Sequence, residues 1–106
     1  MRTVFFGSPA SALPSLRALL GRGHSVDLII TQPDKPAGRG RKLTPSPVKV
    51  FATGQTIPIL EPLRIRKDET VLERIREARP DILVVVAYGQ IIPGPIIDYP
   101  RFHSVN

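Results

Sequence analysis

Ile82-Leu-Val-Val-Val-Ala87 is a continuous apolar run, rich in β-branched residues and without polar alternation. Such a run is typical of a parallel strand that lies inside a sheet and is covered on both faces. Two further apolar runs, Thr3 to Phe6 and Val26 to Thr31, predict strands as well. We therefore expect a parallel sheet with these three strands at its centre.

Helical patterns alternate with the strands. The clearest begins at Asp68 and Glu69, acids suited to the positive end of a helix, and its apolar stripe comprises Val71, Leu72, Ile75 and Ala78. An earlier helix is predicted up to Leu20. If it starts at Pro9, Pro14 should bend its axis, whereas a start near Ser11 makes Pro14 harmless.

Shorter elements complete the pattern. We predict a helix within residues 45–54, an edge strand from Ile57 to Leu60, a helical turn from Pro93 to Tyr99 and a last strand beginning at Phe102. The alternation predicts an α/β fold, Rossmann-like and doubly wound with a mostly parallel sheet. Because the sequence stops in or after this fifth strand, we expect a truncated sheet and a fragment. Chemistry is expected beyond the carboxyl ends of the strands.

A long basic loop, residues 31–50, interrupts this regular alternation. Connections in such folds usually have about two to six residues, so a longer one suggests a function. The loop contains five cations against the single acid Asp34, a net charge of +4 out of +6 for the chain; the cations are Lys35, Arg39, Arg41, Lys42 and Lys49. Clustered charge of this kind favours a nucleic acid partner. The alternative is a solvated excursion that only aids solubility.

Composition excludes several classes of protein. The chain has 106 residues, 42% of them hydrophobic, which suits one domain with its own core. It has no cysteine, which excludes disulfide scaffolds, thiolate zinc sites and thiol catalysis. We expect no metal and no membrane partner, since the basic loop lacks an amphipathic helical period. The N-terminus leads directly into a strand pattern, so a cytoplasmic location is expected.

Two glycine motifs and two histidines are weaker candidates for a site. Gly7-Ser8-Pro9 follows a strand, but the three glycines of a dinucleotide fingerprint are missing, and a tight structural turn is favoured. The glycine spacing in residues 38–42 does not fit a phosphate-binding loop. His24 and His103 are expected to be surface or structural residues.

Four segments resemble, in order, the N-terminal formyl-carrying domain of the methionyl-tRNA formyltransferase family. The most distinctive is Thr31-Gln-Pro-Asp-Lys-Pro-Ala-Gly-Arg-Gly-Arg-Lys-Leu-Thr-Pro-Ser-Pro-Val-Lys49. The others are Phe6-Gly-Ser-Pro9, Val84-Val-Val-Ala-Tyr-Gly-Gln-Ile-Ile-Pro93 and Ser104-Val-Asn106. The resemblance covers the whole chain as residues 1–106 of a formyltransferase catalytic domain. The rest of that domain and a C-terminal tRNA-binding domain are expected to be absent.

The resemblance implies a reaction and a site. The family transfers a formyl group from the co-substrate 10-formyltetrahydrofolate to the α-amino group of methionyl initiator tRNA, and the full-length enzyme is expected to be a monomer. Its basic loop docks on the acceptor arm, which implies tRNA contacts for Lys35, Arg39, Arg41 and Lys42. Asn106 matches the asparagine of the family's catalytic Asn-x-His…Asp set. The cofactor-binding segment corresponds to Tyr88, Gly89, Gln90, Ile91 and Ile92.

The chemistry accounts for these residue types. Negative charge builds on the formyl oxygen when an amine attacks, and an amide donor such as Asn106 stabilises it. The matching histidine and aspartate are expected beyond residue 106, so the fragment alone is expected to be inactive. Two alternatives stay open: a formyltransferase for a small amine, of the sugar nucleotide or glycinamide ribonucleotide type, and a non-catalytic RNA-binding α/β module.

Overall fold

A computed structural model describes residues 1–100, 102 and 104–106. In chain order the strands are β1 (Arg2–Gly7), β2 (Ser25–Ile30), β3 (Lys35–Ala37), β4 (Lys42–Thr44), β5 (Ile59–Leu60), β6 (Ile82–Val86) and β7 (Ser104–Val105). The helices are α1 (Leu13–Gly21), α2 (Pro47–Gly54), α3 (Glu69–Ala78) and α4 (Gly94–Ile97). Two short 3₁₀ turns lie at Ala10–Ala12 and Ile65–Lys67.

Five strands form one parallel sheet in the order β5-β2-β1-β6-β7. The central position predicted for β1, β2 and β6 is confirmed, and β5 lies at the edge that Pro58 suggested. β1 and β6 pair in register from Thr3 opposite Ile82 to Gly7 opposite Val86. The two strands therefore end at the same level, and the loops that follow them start side by side.

Helices cover both faces of the sheet. On one face Phe5 and Ile29 pack against apolar residues of α1 and α2, including Leu16 and Ala52. On the other face Phe6 and Ile30 pack against residues of α3 and α4. β6 is less covered than expected: Leu83 is fully buried, but the other four residues of the strand are only half-buried. Val84 and Val86 lie on the face of α1, which contacts β2 more than β6 and so covers them only in part.

The ends of the helices follow from local sequence. α1 begins at Leu13, so Pro14 occupies its first turn, where a proline costs no hydrogen bond; of the two alternatives, this start corresponds to the one in which Pro14 is harmless. Ser46 caps α2 by accepting a hydrogen bond from the Lys49 backbone N–H at 3.0 Å. Asp68 caps α3 in the same way through the N–H of Thr70. α3 ends at Arg79, whose φ of 49° is left-handed.

The basic loop, for which the sequence predicted no regular structure, contains an antiparallel hairpin. β3 pairs with β4 from Lys35 opposite Thr44 to Ala37 opposite Lys42. The turn between them has positive φ at Gly38, Gly40 and Arg41, of 69°, 78° and 50°. Glycine adopts this conformation without steric cost, which explains the Gly-Arg-Gly spacing better than a phosphate loop does.

The remaining sequence expectations concern the histidines and the membrane. His24 Nδ1 lies 3.1 Å from the terminal amine of Met1, at the exposed start of β1. This contact is consistent with the surface or structural role expected for His24. His103 lies outside the described residues. Within the described part of the chain, no helix is long and apolar enough to cross a lipid bilayer.

Candidate functional site

Ser8 joins the ends of the three central strands. Its hydroxyl donates a hydrogen bond to the backbone oxygen of Tyr88 at 2.9 Å. The backbone N–H of Gln32 donates to the same Ser8 oxygen at 3.1 Å. Tyr88 and Gln32 each lie two residues past the end of a strand, so a single side chain fixes the loops after β1, β2 and β6. This arrangement agrees with the structural role favoured for Gly7-Ser8-Pro9.

The loop after β6 has an unusual backbone. Ala87 and Gly89 have φ values of 53° and 104°, both left-handed. At Gly89 a side chain would be strained, and its Cβ would also lie 2.6 Å from Nε2 of Gln32. A glycine is therefore required here by both conformation and space, and it lets the loops after β2 and β6 approach each other closely.

Gln90 holds three loops together. Its Nε2 donates to Oε1 of Gln32 at 2.8 Å and to the backbone oxygen of Pro62 at 3.0 Å. Its Oε1 accepts from the N–H of Ile65 at 2.8 Å. The side chain thus uses both its donor and its acceptor groups on protein partners, so its predicted place in the cofactor-binding segment is accompanied by a structural role.

Tyr88 is a core residue. Its ring packs edge to face on Phe6, with centroids 5.3 Å apart, and the residue is 2% exposed. Burial, and then the charge of Asp68, raises the pKa of Tyr88 to about 12. The hydroxyl has no hydrogen-bond partner within the described residues. The residue therefore contributes packing at this edge of the sheet, and its phenol is neutral at physiological pH.

Asn106 and the predicted cofactor-binding segment share a cavity. A cavity of about 360 Å³ is lined by Gln90, Ile91, Ile92 and Asn106, with Ser104 and Ile97 beside them. Ile91 is 77% exposed, whereas Ile92 is buried and packs in the core. Parallel pairing of β6 with β7 brings these residues together, since Leu83 lies opposite Ser104. The structure therefore places an apolar wall and an amide side chain around one space.

A second cavity, of about 440 Å³, lies between the hairpin and the loop after β6. Its lining includes Ser8, Gln32, Lys35, Thr44 and Gly89. One face of the hairpin therefore forms a wall of this cavity at the carboxyl edge of the sheet, and Lys35 belongs to that wall.

The four cations predicted to contact tRNA are exposed: Lys35, Arg39, Arg41 and Lys42. None of them forms a salt bridge within the described residues. Lys49 does not contribute to the exposed cluster of positive charge in which the sequence analysis counted it. Its Nζ lies 2.9 Å from Asp34 Oδ1 and 3.0 Å from Glu61 Oε1. Hydrogen bonds to Asp34 and then Glu61 raise the pKa of Lys49, so its ammonium group stays protonated and its positive charge is balanced by the two carboxylates.

Sequence reasoning missed a third, cationic cavity. It has a volume of about 580 Å³ and is lined by Arg64, Arg66, Lys67, Gln90 and Ile91. The three basic side chains come from the 3₁₀ turn at Ile65–Lys67 and the residue before it, so this space suits an anionic group. The signal was present, since Arg64-Ile-Arg-Lys67 is a charge cluster shortly after a predicted strand. No group of three or more potential metal ligands is found in the described ranges.

Comparison with curated proteins identifies close relatives. The methionyl-tRNA formyltransferase of Geobacter sulfurreducens is 47% identical over 106 residues, which is 100% of this chain and 33% of that protein. The protein of the same name from Methylococcus capsulatus is 49% identical over 106 residues, again all of this chain and 34% of that protein. The chain thus spans about a third of the length of the curated relatives it matches.

Solved structures share the fold at low identity. A phosphoribosylglycinamide formyltransferase from Bacillus halodurans superposes with a TM-score of 0.63 and 17% identity, covering 92% of this chain and 50% of that one. The enzyme of the same name from Anaplasma phagocytophilum gives 0.61 and 18%, covering 91% and 43%. These likenesses confirm the predicted fold and carry no argument about substrate.

A family match covers the entire sequence. The family model for formyl transferase matches residues 1–106, which includes every strand of the sheet, the hairpin and the cavity around Asn106. Together with the parallel sheet and the loops at its carboxyl edge, this match is decisive: the chain belongs to the formyl transferase family.

Proposed function

We propose that the full-length protein is a methionyl-tRNA formyltransferase, which transfers a formyl group from 10-formyltetrahydrofolate to the α-amino group of methionyl initiator tRNA. Residues 1–106 are the N-terminal part of its catalytic domain. The observation that carries the proposal is the hairpin: its four exposed cations form no salt bridge with any residue that the structure describes, and its base walls a cavity at the carboxyl edge. Translation initiation implies a cytoplasmic location, and we expect the enzyme to act as a monomer.

The donor is assigned to the edge formed by the loop after β6. Tyr88 and Gly89 begin this loop, and Gln90 to Ile92 line the space that also contains Asn106. Ile91 also borders the cationic cavity of Arg64, Arg66 and Lys67. A folate has flat rings at one end, whose faces pack on apolar side chains, and glutamate carboxylates at the other. An apolar wall next to a basic cavity fits that distribution of charge.

Asn106 is assigned to stabilise the reaction's negative charge. The co-substrate supplies the formyl group, and attack by the methionyl amine places charge on the formyl oxygen. The amide N–H of Asn106 is an uncharged donor that stabilises such an oxygen, an effect typically of about 3 kcal/mol for one donor. Asn106 is exposed and directly follows β7, so its backbone is held by the sheet while its side chain is accessible.

The hairpin is assigned to the RNA. Each phosphate that a cation neutralises releases counterions, so binding weakens as salt rises. Arg39 stands at the tip between Gly38 and Gly40, where the glycines allow the backbone to approach a partner closely. A small amine acceptor would not reach the tip of the hairpin, and this favours a large, polyanionic acceptor.

The test uses the full-length protein with Arg39 and Arg41 both replaced by Ala. Initiator tRNA binding is measured at several salt concentrations, and loss of two phosphate contacts should reduce the salt slope by about 2. The matched control is the double replacement of Arg74 and Arg76 by Ala, which removes two exposed arginines from α3. The control should keep its slope.

Two outcomes contradict the proposal. An unchanged slope in the hairpin variant would remove the RNA assignment of these cations. Wild-type protein that formylates a small amine, and leaves methionyl-tRNA unmodified, would show that the acceptor is wrong even if the chemistry is right.

A further inference from the structure

Two side chains, Lys49 and Gln90, connect the same pair of loop segments. The first segment is residues 32–34, which lead into the hairpin and are called the hairpin root here. The second is residues 61–65, which lead into the cationic cavity. These segments follow neighbouring strands, β2 and β5, yet they are held to each other by side chains that come from elsewhere in the fold.

Lys49 makes the first connection. It lies on α2, and its ammonium group hydrogen-bonds to Asp34 of the hairpin root at 2.9 Å and to Glu61 at 3.0 Å. All three side chains are partly shielded, with exposed fractions between 27% and 34%. A flexible ammonium between two carboxylates holds them at a fixed separation, because each acid would otherwise repel the other.

Gln90, in the loop after β6, makes the second connection. One amide nitrogen donates both to Gln32 of the hairpin root and to Pro62, at 2.8 and 3.0 Å. The amide oxygen accepts from Ile65 at 2.8 Å. Gln90 also lines the cavity of Asn106 and the cationic cavity, and Arg64 of segment 61–65 lines the cationic cavity with it, so movement of this segment relative to Gln90 changes the shape of the cationic cavity.

We infer that Lys49 and Gln90 are positioning residues that act in parallel to hold the RNA-binding hairpin in a fixed relation to the donor cavities. The inference rests on the proposed function, in which an acceptor on the hairpin must meet a donor at Gln90 to Ile92. Neither side chain needs to touch the reacting atoms. Their role is to align the two bound substrates, and a small error in alignment lowers the reaction rate more than it lowers the affinity for either substrate.

Parallel links give a distinctive kinetic signature. When one link is lost, the other still holds the two segments, so each single variant should lose little. When both are lost, the hairpin root and segment 61–65 move independently. The combined loss should then exceed the product of the single losses, which is the pattern of coupled residues rather than independent ones.

The experiment uses full-length protein with Lys49→Met, Gln90→Glu and both together. Lys49→Met keeps the aliphatic stem and removes both ion pairs, and Gln90→Glu keeps the acceptor for Ile65 and removes the two donated bonds. We expect each single variant to lower kcat by about 3-fold and the double variant by about 100-fold, with the Kd for tRNA changed by about 2-fold or less.

Matched controls separate alignment from charge and stability. Arg74→Met removes one exposed cation and Gln55→Glu adds one exposed acid, and both should leave kcat unchanged. A double variant with Lys49→Arg and Gln90→Glu should have the kcat of Gln90→Glu alone rather than that of the Lys49→Met, Gln90→Glu variant, because the cation between the two acids is kept. If the double variant fails to fold, Glu61→Met replaces Lys49→Met, since it removes the acceptor through which Lys49 is linked to segment 61–65.

Amide hydrogen exchange provides a readout that does not depend on the reaction. Exchange at the hairpin root and at segment 61–65 should rise sharply only in the double variant. Wild-type turnover of methionyl-tRNA reports on the proposed function by itself. The inference is overturned if the kcat losses multiply without excess, if Lys49→Arg gives no rescue, or if exchange at the two segments rises fully in either single variant.

Discussion

Gly7 offers the sharpest test of how the carboxyl edge is built. Its φ lies outside the left-handed region, so replacement by Ala introduces a steric effect without backbone strain. The added Cβ would lie 2.7 Å from Phe5 Cε1, 2.8 Å from the Val86 backbone oxygen and 3.1 Å from Ala12 Cβ. Ordinary contacts begin at 3.4 Å, so the Val86 oxygen would have to retreat by about 0.6 Å.

This retreat should weaken the end of the β1–β6 pairing. Overpacking of this kind typically lowers the free energy of unfolding by about 1–3 kcal/mol. The unfolded chain has less conformational entropy with Ala than with Gly, which offsets about 0.4–1 kcal/mol of this loss. We therefore expect Gly7→Ala to lower the free energy of unfolding by about 1–2 kcal/mol. Because Ser8 follows directly and fixes the loops after β2 and β6, formyl transfer should fall as well.

The assay is urea denaturation of the full-length protein, followed by circular dichroism, with Gly21→Ala as the control. Gly21 ends α1 with no atom within 4 Å of the added Cβ, and its φ is not left-handed. That replacement should raise stability by about 0.5–1 kcal/mol, since Ala is the better helix former. Equal or greater stability of Gly7→Ala relative to wild type would refute the steric reasoning.

Two further changes test the loop after β6. Tyr88→Phe removes a buried hydroxyl without a partner in the described residues, so the stability at pH 8 should be unchanged or rise by about 1–2 kcal/mol. The pKa of Tyr88 is about 12 in the folded protein and ordinarily 10.0, so the folded protein holds the phenol proton more tightly than the unfolded chain does. Between pH 10 and pH 12 the free energy of unfolding of the wild type should therefore fall by up to about 3 kcal/mol, and that of the variant should not show this fall. Parallel pH profiles from denaturation at each pH would contradict this. Gly89→Ala forces a strained φ and displaces the Gln32 amide from its bond with Gln90, which should cost about 2–3 kcal/mol. A thermal melt no lower than that of wild type would show that the loop adapts instead.

Local sequence patterns were sufficient for the framework of the fold. The apolar run at Ile82 predicted a central parallel strand because burial of a strand requires side chains of this type on both faces. The acids at Asp68 and Glu69 marked the start of α3 because they complement a helix terminus. The segment from Tyr88 to Ile92 and the residue Asn106 were predicted to lie at one edge. Gln90, Ile91 and Ile92 line one cavity with Asn106, whereas Tyr88 and Gly89 border the cavity beside the hairpin. Their roles in binding and catalysis stay predictions.

Contacts between distant residues were beyond these patterns. Lys49 was counted with the basic loop, because charge counted along the chain cannot anticipate the two carboxylates, one of them on another loop, that meet it in space. Gln90 gave no signal of its three partners, and the hairpin could not be distinguished from an irregular loop, since its strands have only three residues each.

Local sequence was enough to predict the strands of the five-stranded sheet, the helices, the concentration of positive charge and the family resemblance, since these depend on residues that are neighbours along the chain. Folding was needed to show which cations form ion pairs, which face of the hairpin walls a cavity, and that Arg64, Arg66 and Lys67 border the space beside Ile91. These features arise from side chains that folding brings together from separate loops, and their energies depend on distances of a few ångströms that no local pattern encodes.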